Sequence, residues 1–123
     1  MTWCCQICLH KQMRAVSWIK AAYKSYERFP AGARREIDRA LNIAALGEKA
    51  DIAKPMTGLG AGVVEIAVKF RGDAWRAVYA LQIGEDIWVV HAFQKKSTSG
   101  ISTPKHEIDL VRDRIRTLKE RYR

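Results

Sequence analysis

The chain has 123 residues, 48% of them hydrophobic, enough for one folded domain with its own core and too apolar for disorder to be the default. Lysine and arginine outnumber aspartate and glutamate by 22 to 13, a net charge of +9 with a pI near 9.8, which favours an anionic partner such as RNA, DNA, an anionic membrane or an acidic protein. No apolar run reaches the roughly 20 residues of a membrane span, and the start MTWCCQICLHKQ has no basic stretch leading into an apolar one, so a cytoplasmic protein without a membrane is expected.

Residues 1–12 read as a poorly ordered N-terminal extension, and 13–123 as a single domain. The extension holds all three cysteines, Cys4, Cys5 and Cys8. Cys5-x-x-Cys8 with His10 is half of a zinc pattern, but the second ligand pair is missing, so no metal is expected. Arg14–Trp18 reads as a short strand, with Ser17 a possible cap for the helix that follows. Ile19–Phe29 has helical spacing, with Ile19, Ala22, Tyr23, Tyr26 and Phe29 on one face. Pro30 ends that helix and suits the first turn of a second one, from about Ala31 to Leu46, with Gly47 as its C-terminal stop. Together they make a helical hairpin.

Glu48–Gly62 carries a proline and several glycines and reads as a loop. Gly58, Gly60 and Gly62 resemble a phosphate cradle, but they precede a strand, whereas nucleotide loops follow one and open a helix. Lys54 in this loop is a candidate phosphate contact. Val63–Phe70 then alternates, with Val64, Ile66, Val68 and Phe70 on one face. Arg71-Gly72-Asp73 is a tight turn. Ala74–Gln82 and Ile87–Gln94 are two more strands, joined by a turn at Ile83–Asp86, and the three make an antiparallel meander. Lys95–Thr103 is small and polar. Thr103-Pro104 starts a last helix, capped by Thr103, that runs to about Arg121 with Ile108, Val111, Ile115, Leu118 and Tyr122 recurring at three and four residues.

No metal-ligand spacing and no nucleophile-elbow context occurs, and no cofactor is expected. What stands out is a cluster of cations around a histidine and aromatics: Arg76, His91, Phe93, Lys95 and Lys96. Such a set suits metal-free cleavage of RNA, whose own 2′-hydroxyl is the nucleophile. Arg76, Lys95 and Lys96 can spread charge over the transition state, and His91 can serve as acid or base. Strand parity limits the set. Arg76 and Tyr79 point to opposite faces of a regular strand, so at most one of them joins His91 unless a bulge intervenes.

Four stretches, GLGAGVVEI, WRAVY, VVHAFQKKS and TPKHEIDLVRDRI, resemble in sequence and order the phage-derived HigB-like toxins of the RelE/ParE superfamily. The resemblance covers about Met13 to Tyr122. It implies a RelE-like α+β fold: an N-terminal strand and helical hairpin, an antiparallel β-meander and a C-terminal helix. It implies the toxin of a type II toxin–antitoxin system that cuts mRNA on the ribosome, with a HigA-like helix-turn-helix antitoxin as partner. By position it implies Arg76, His91, Lys95 and Lys96 as the residues of RNA contact and cleavage, with Lys54 a looser match. Where many relatives have Glu-Leu-Arg, this chain has Glu65-Ile66-Ala67, so an arginine is missing, and Lys69 and Arg71 stand nearest to compensate. Lys105 opens the basic last helix and completes the expected RNA-binding set. The alternative is a ParE-like toxin or an inactive relic of the same fold that binds only an antitoxin or a protein target. Phosphate contacts release counterions, so RNA affinity is expected to fall steeply from low to moderate salt. A filter-binding titration reads this, and an affinity unchanged by salt would count against it.

Overall fold

The computed structural model describes residues 13–95 and 103–122, so the cysteine-bearing extension and Lys96 lie outside the described residues. The elements are β1 (Val16–Trp18), α1 (Lys20–Glu27), α2 (Ala31–Ala45), β2 (Ala53–Pro55), β3 (Val63–Phe70), β4 (Asp73–Ala80), β5 (Ile87–Lys95) and α3 (Lys105–Arg121). The five strands form one sheet in the order β1-β5-β4-β3-β2. The expected meander is β3-β4-β5, and β1 adds to β5 in parallel, pairing Val16–Trp18 with Ile87–Val89. No helix among the described residues is long and apolar enough to cross a membrane.

Each sheet face carries its own apolar layer. Val64, Ile66, Val68, Ala77, Tyr79, Ile87, Val89 and Ala92 pack under the helical hairpin with Tyr26, Phe29, Ile37 and Leu41. Val63, Val78, Ala80, Val90 and Phe93 pack under α3 with Val111, Ile115 and Leu118. The odd-numbered residues of β5 are therefore divided between faces. A register shift between Val78 and Tyr79 explains it: Val78 pairs with His91 and Tyr79 with Val89, leaving Val90 as an extra residue. This bulge turns Ile87 and Val89 toward the hairpin and Phe93 toward α3. The parity question is settled with Arg76 on the face of Phe93, as its register partner, and Tyr79 buried in the opposite core.

Three local expectations are corrected. The loop before β3 contains β2, a three-residue edge strand on which Lys54 pairs with Glu65. Ser17 caps no helix: its hydroxyl donates to Asp86 Oδ2 at 2.6 Å, and Ile19 is the N-cap of α1, with no side-chain capping bond. Thr103 caps none either. Pro104 is the N-cap of α3, its carbonyl accepting from Glu107 and Ile108, and the Thr103 hydroxyl goes to Glu65 instead. In both cases a nearby carboxylate is a stronger acceptor for the hydroxyl than the backbone is a donor.

The loop between β4 and β5 is held by Arg14, whose guanidinium donates to the carbonyls of Leu81, Glu85 and Asp86 at 2.6–3.1 Å. The β3–β4 turn places Arg71 and Gly72 at φ +54° and +85°, the mirror-image turn that matches strand twist. Phe70, just before it, packs on α2 at Gly32, where an added Cβ would stand 2.3 Å from the Phe70 ring. Alanine ordinarily favours a helix over glycine by up to about 1 kcal/mol. Here Gly32→Ala is expected to destabilise instead, by about 1–3 kcal/mol, because the ring must move. Urea unfolding reads the sign, and a stabilised variant would contradict the packing.

Candidate functional site

Three cross-strand rows lie side by side on the α3 face, toward the β3–β4 turn. Lys54, Glu65, Val78 and His91 make the first, Ala67, Arg76 and Phe93 the second, and Lys69, Ala74 and Lys95 the third. Thr103, just before α3, bonds Glu65 and Arg76 of the first two, and Glu107 in the first turn of α3 bonds His91. The structure thus brings together Lys54, Lys69, Arg76, His91 and Lys95 of the expected residues. Two others lie apart. Arg71 sits at the turn with its guanidinium 5.2 Å from the ring of Phe70, which belongs to the hairpin face. Lys105 is 87% exposed and pairs with Asp109 one turn along its own helix.

The cations on this face are not all open to solvent. Arg76 is 8% exposed and its Nη1 donates to Glu65 Oε1 at 3.1 Å. Thr103 completes the group, accepting from Arg76 Nη1 at 3.4 Å and donating to Glu65 Oε2 at 2.6 Å. Lys95 is likewise 8% exposed, while Lys54 and Lys69 are exposed. Glu65 thus compensates Arg76 in the free protein, and an incoming phosphate would compete with it for the guanidinium. Ala67, in the row of Arg76 and Phe93, occupies the place of the arginine that the family pattern led one to expect.

His91 is wired on both sides. Its Nε2 lies 2.6 Å from Glu107 Oε1, and its Nδ1 lies 3.2 Å from Arg114 Nη1. Arginine has no acceptor, so Nδ1 must accept, and the ring proton sits on Nε2 and is donated to Glu107. The same Arg114 nitrogen also donates to the carbonyl of Val90 at 2.8 Å, serving the bulge. Burial holds the His91 pKa below its ordinary 6.5, against the upward pull of Glu107, with Arg114 and His106 adding to the downward side. His91 is therefore neutral at pH 7, and it can pass a proton to a substrate only by giving up one of its two bonds. Glu65, Glu107 and Arg114 were not singled out by sequence reasoning. Among the described residues no three histidine, cysteine, aspartate or glutamate side chains gather to hold a metal ion.

The strand order, hairpin and crossing helix define a RelE-like α+β domain. The E. coli toxin RelE, solved in the free state as a double arginine-to-alanine mutant, matches with a TM-score of 0.51 at 14% identity, over 66% of this chain and 82% of that one. The family described as "Phage derived protein Gp49-like" matches residues 24–116, and the chain belongs to that family. No curated protein matches it. The phage-derived, RelE-like resemblance drawn from the four motifs is borne out at this level.

A histidine buried neutral binds its proton less well folded than unfolded. Its contribution to stability is complete above 6.5 and is lost as pH falls through the lowered folded value. The unfolding free energy is expected to decline from pH 6.5 downward, and His91→Gln to flatten that decline. Urea titrations at several pH values check both, and an imidazole that charges at its ordinary pH by NMR would refute the assignment.

Proposed function

We propose that the chain is the toxin of a type II toxin–antitoxin pair and cleaves translated mRNA on the ribosome by a metal-free route. The observation that carries the reading is the convergence of Arg76, Lys95, Lys69 and Lys54 on adjoining rows of one sheet face beside the start of α3. The basic charge of the chain and its family membership support it. A HigA-like helix-turn-helix protein is the antitoxin that this reading calls for.

In the reaction the RNA 2′-hydroxyl attacks the adjacent phosphate, its proton leaves to a base, and the 5′-oxygen departs with a proton returned to it. Arg76 and Lys95 carry the charge stabilisation, with Lys96 beside them in sequence. Lys54 and Lys69 hold neighbouring phosphates, and Arg71 and Lys105 serve as outer RNA contacts. His91 belongs to the same centre, as an acid–base group if it releases a partner and otherwise as the group that positions Glu107. The fold supplies no covalent intermediate in this scheme. Positioning and charge do the work.

The rival is a binding-only or ParE-like protein of the same fold. Ala67 in the arginine position and the closed Arg76–Glu65–Thr103 group favour it. Induced expression with primer extension on a translated transcript separates the two. New mRNA ends are expected with the native chain, reduced about 10²-fold in Lys95→Ala, as for removal of one oxyanion-type donor. Arg76→Ala should do the same, with circular dichroism melting to verify its fold, since it leaves Glu65 without its cation. Growth arrest without new ends, or ends that survive both variants, would move the protein to the rival class.

A further inference from the structure

The reading above leaves a cleft of about 370 Å³ unassigned. It opens where β1 stops. Strand β1 covers only Ile87–Val89, so from Val90 onward no described strand flanks β5 on that side. Ser25 and Arg28 at the C-terminal end of α1 and Glu107 in the first turn of α3 line the cleft together with β5. Aromatic rings form the walls. Phe93 lies stacked on His91 at 5.0 Å and 21°, and Trp75 packs with Phe29 at 4.8 Å. Gln94 adds a polar group, and the volume falls in the range of small-molecule sites.

We propose that this cleft is a nucleobase subsite selective for guanine, with Glu107 as the residue that reads the base. This rests on the ribonuclease reading only for how an RNA strand is delivered there. Single-stranded bases commonly stack on aromatic side chains, and Phe93, on the same sheet face as Glu107, offers that surface, while Trp75 and Phe29 line the cleft from the hairpin face. Selectivity follows from what Glu107 can accept. The His91–Arg114 relay fixes its direction: Arg114 donates to Nδ1 and Nε2 donates to Glu107 Oε1, while Oε2 lies 3.4 Å from Nε2 of His106, a 79% exposed side chain that an entering base can displace, so both oxygens can still accept. Its side chain is 17% exposed, so it is held in place yet reachable.

A fixed acceptor pair discriminates among the bases. Guanine alone presents two adjacent donors on its Watson–Crick edge, N1–H and the N2 amino group, and these match a carboxylate side by side. Adenine and cytosine place a ring acceptor next to their amino donor, and uracil flanks its single N–H with two carbonyls. Each of these sets an acceptor against the carboxylate, which leaves buried groups unpaired. The guanine O6 would take a donor from Ser25, Arg28 or Gln94. Phe93 is the register partner of Arg76, so a base held against Phe93 lies one strand away from the guanidinium assigned to the phosphate.

The test uses the full chain, isotopically labelled, titrated with the 5′-monophosphates of guanosine, inosine, adenosine, cytidine and uridine. Guanosine monophosphate should shift the signals of Ser25, Phe93, Gln94 and the His91 ring, at concentrations at least tenfold below those needed for adenosine, cytidine and uridine monophosphates. Inosine monophosphate, which lacks the amino group, should fall between. Glu107→Gln should erase the preference, because its amide sets a donor against a donor, and Phe93→Leu should weaken all bases alike. Equal shifts from every nucleotide, shifts confined to Arg76 and Lys95, no binding at millimolar concentration, or a preference that survives Glu107→Gln would each overturn the proposal. These readouts need no ribosome and no cleavage, so a failed ribonuclease reading leaves them standing. Conversely, cuts that vanish in Lys95→Ala but show no guanine bias would sink the subsite alone.

Discussion

One inserted residue, Val90, governs what the α3 face can be. In a regular strand Ile87, Val89, His91, Phe93 and Lys95 would all point the same way, and either the core would contain a lysine or the site would lack one. The bulge cuts that run in two. The apolar half of β5 goes under the helical hairpin, and the half carrying His91, Phe93 and Lys95 turns to the other side. A bulge leaves backbone polar groups outside the ladder, and Arg114 meets one of them at the Val90 carbonyl. The guanidinium that completes the bulge also fixes the tautomer of His91, and through it the orientation of Glu107. Sheet geometry and side-chain protonation are therefore linked through a single nitrogen of Arg114.

The centre is more acidic than its cations suggest. Arg76 is matched by Glu65, and His91 by Glu107, with one carboxylate coming from a strand and the other from the helix laid across it. Burying a guanidinium without such a partner would cost several kcal/mol. The pairing is thus what allows Arg76 to sit below the surface, with Thr103 tying the start of α3 to the same carboxylate. The site and the docking of the last helix share these bonds, so the helix cannot shift at its N-terminal end without disturbing both.

Most of the architecture was legible because both periods were clean. Val64, Ile66, Val68 and Phe70 alternate, and Val111, Ile115 and Leu118 recur at three and four, and each set buries the face expected of it. Strand β2 was hidden because its three residues include Pro55 and stand among turn formers, and only the register with β3 makes them a strand. The helix caps were misread because a capping rule assumes that a hydroxyl turns back on its own helix. Ser17 and Thr103 instead found the carboxylates of Asp86 and Glu65, far away in sequence. Within the site, Arg76 and Lys95 could be singled out by residue type and position. Arg114 could not, because in sequence it is one of several arginines on a basic helix, and only the bulge distinguishes it from Arg112 or Arg116.

The parallel pairing of β1 with β5 also has a consequence for how the chain reaches this state. The meander pairs strands adjacent in sequence and can form early, whereas α1 packs chiefly on β5 and α2 on β3. Strand β1 must wait for Ile87–Val89, and Arg14 for the carbonyls of Leu81, Glu85 and Asp86, all roughly seventy residues downstream. Closing so long a loop is slow compared with closing a turn. On the ribosome β1 emerges before the strand it joins, so it is among the last of these strands to find its place.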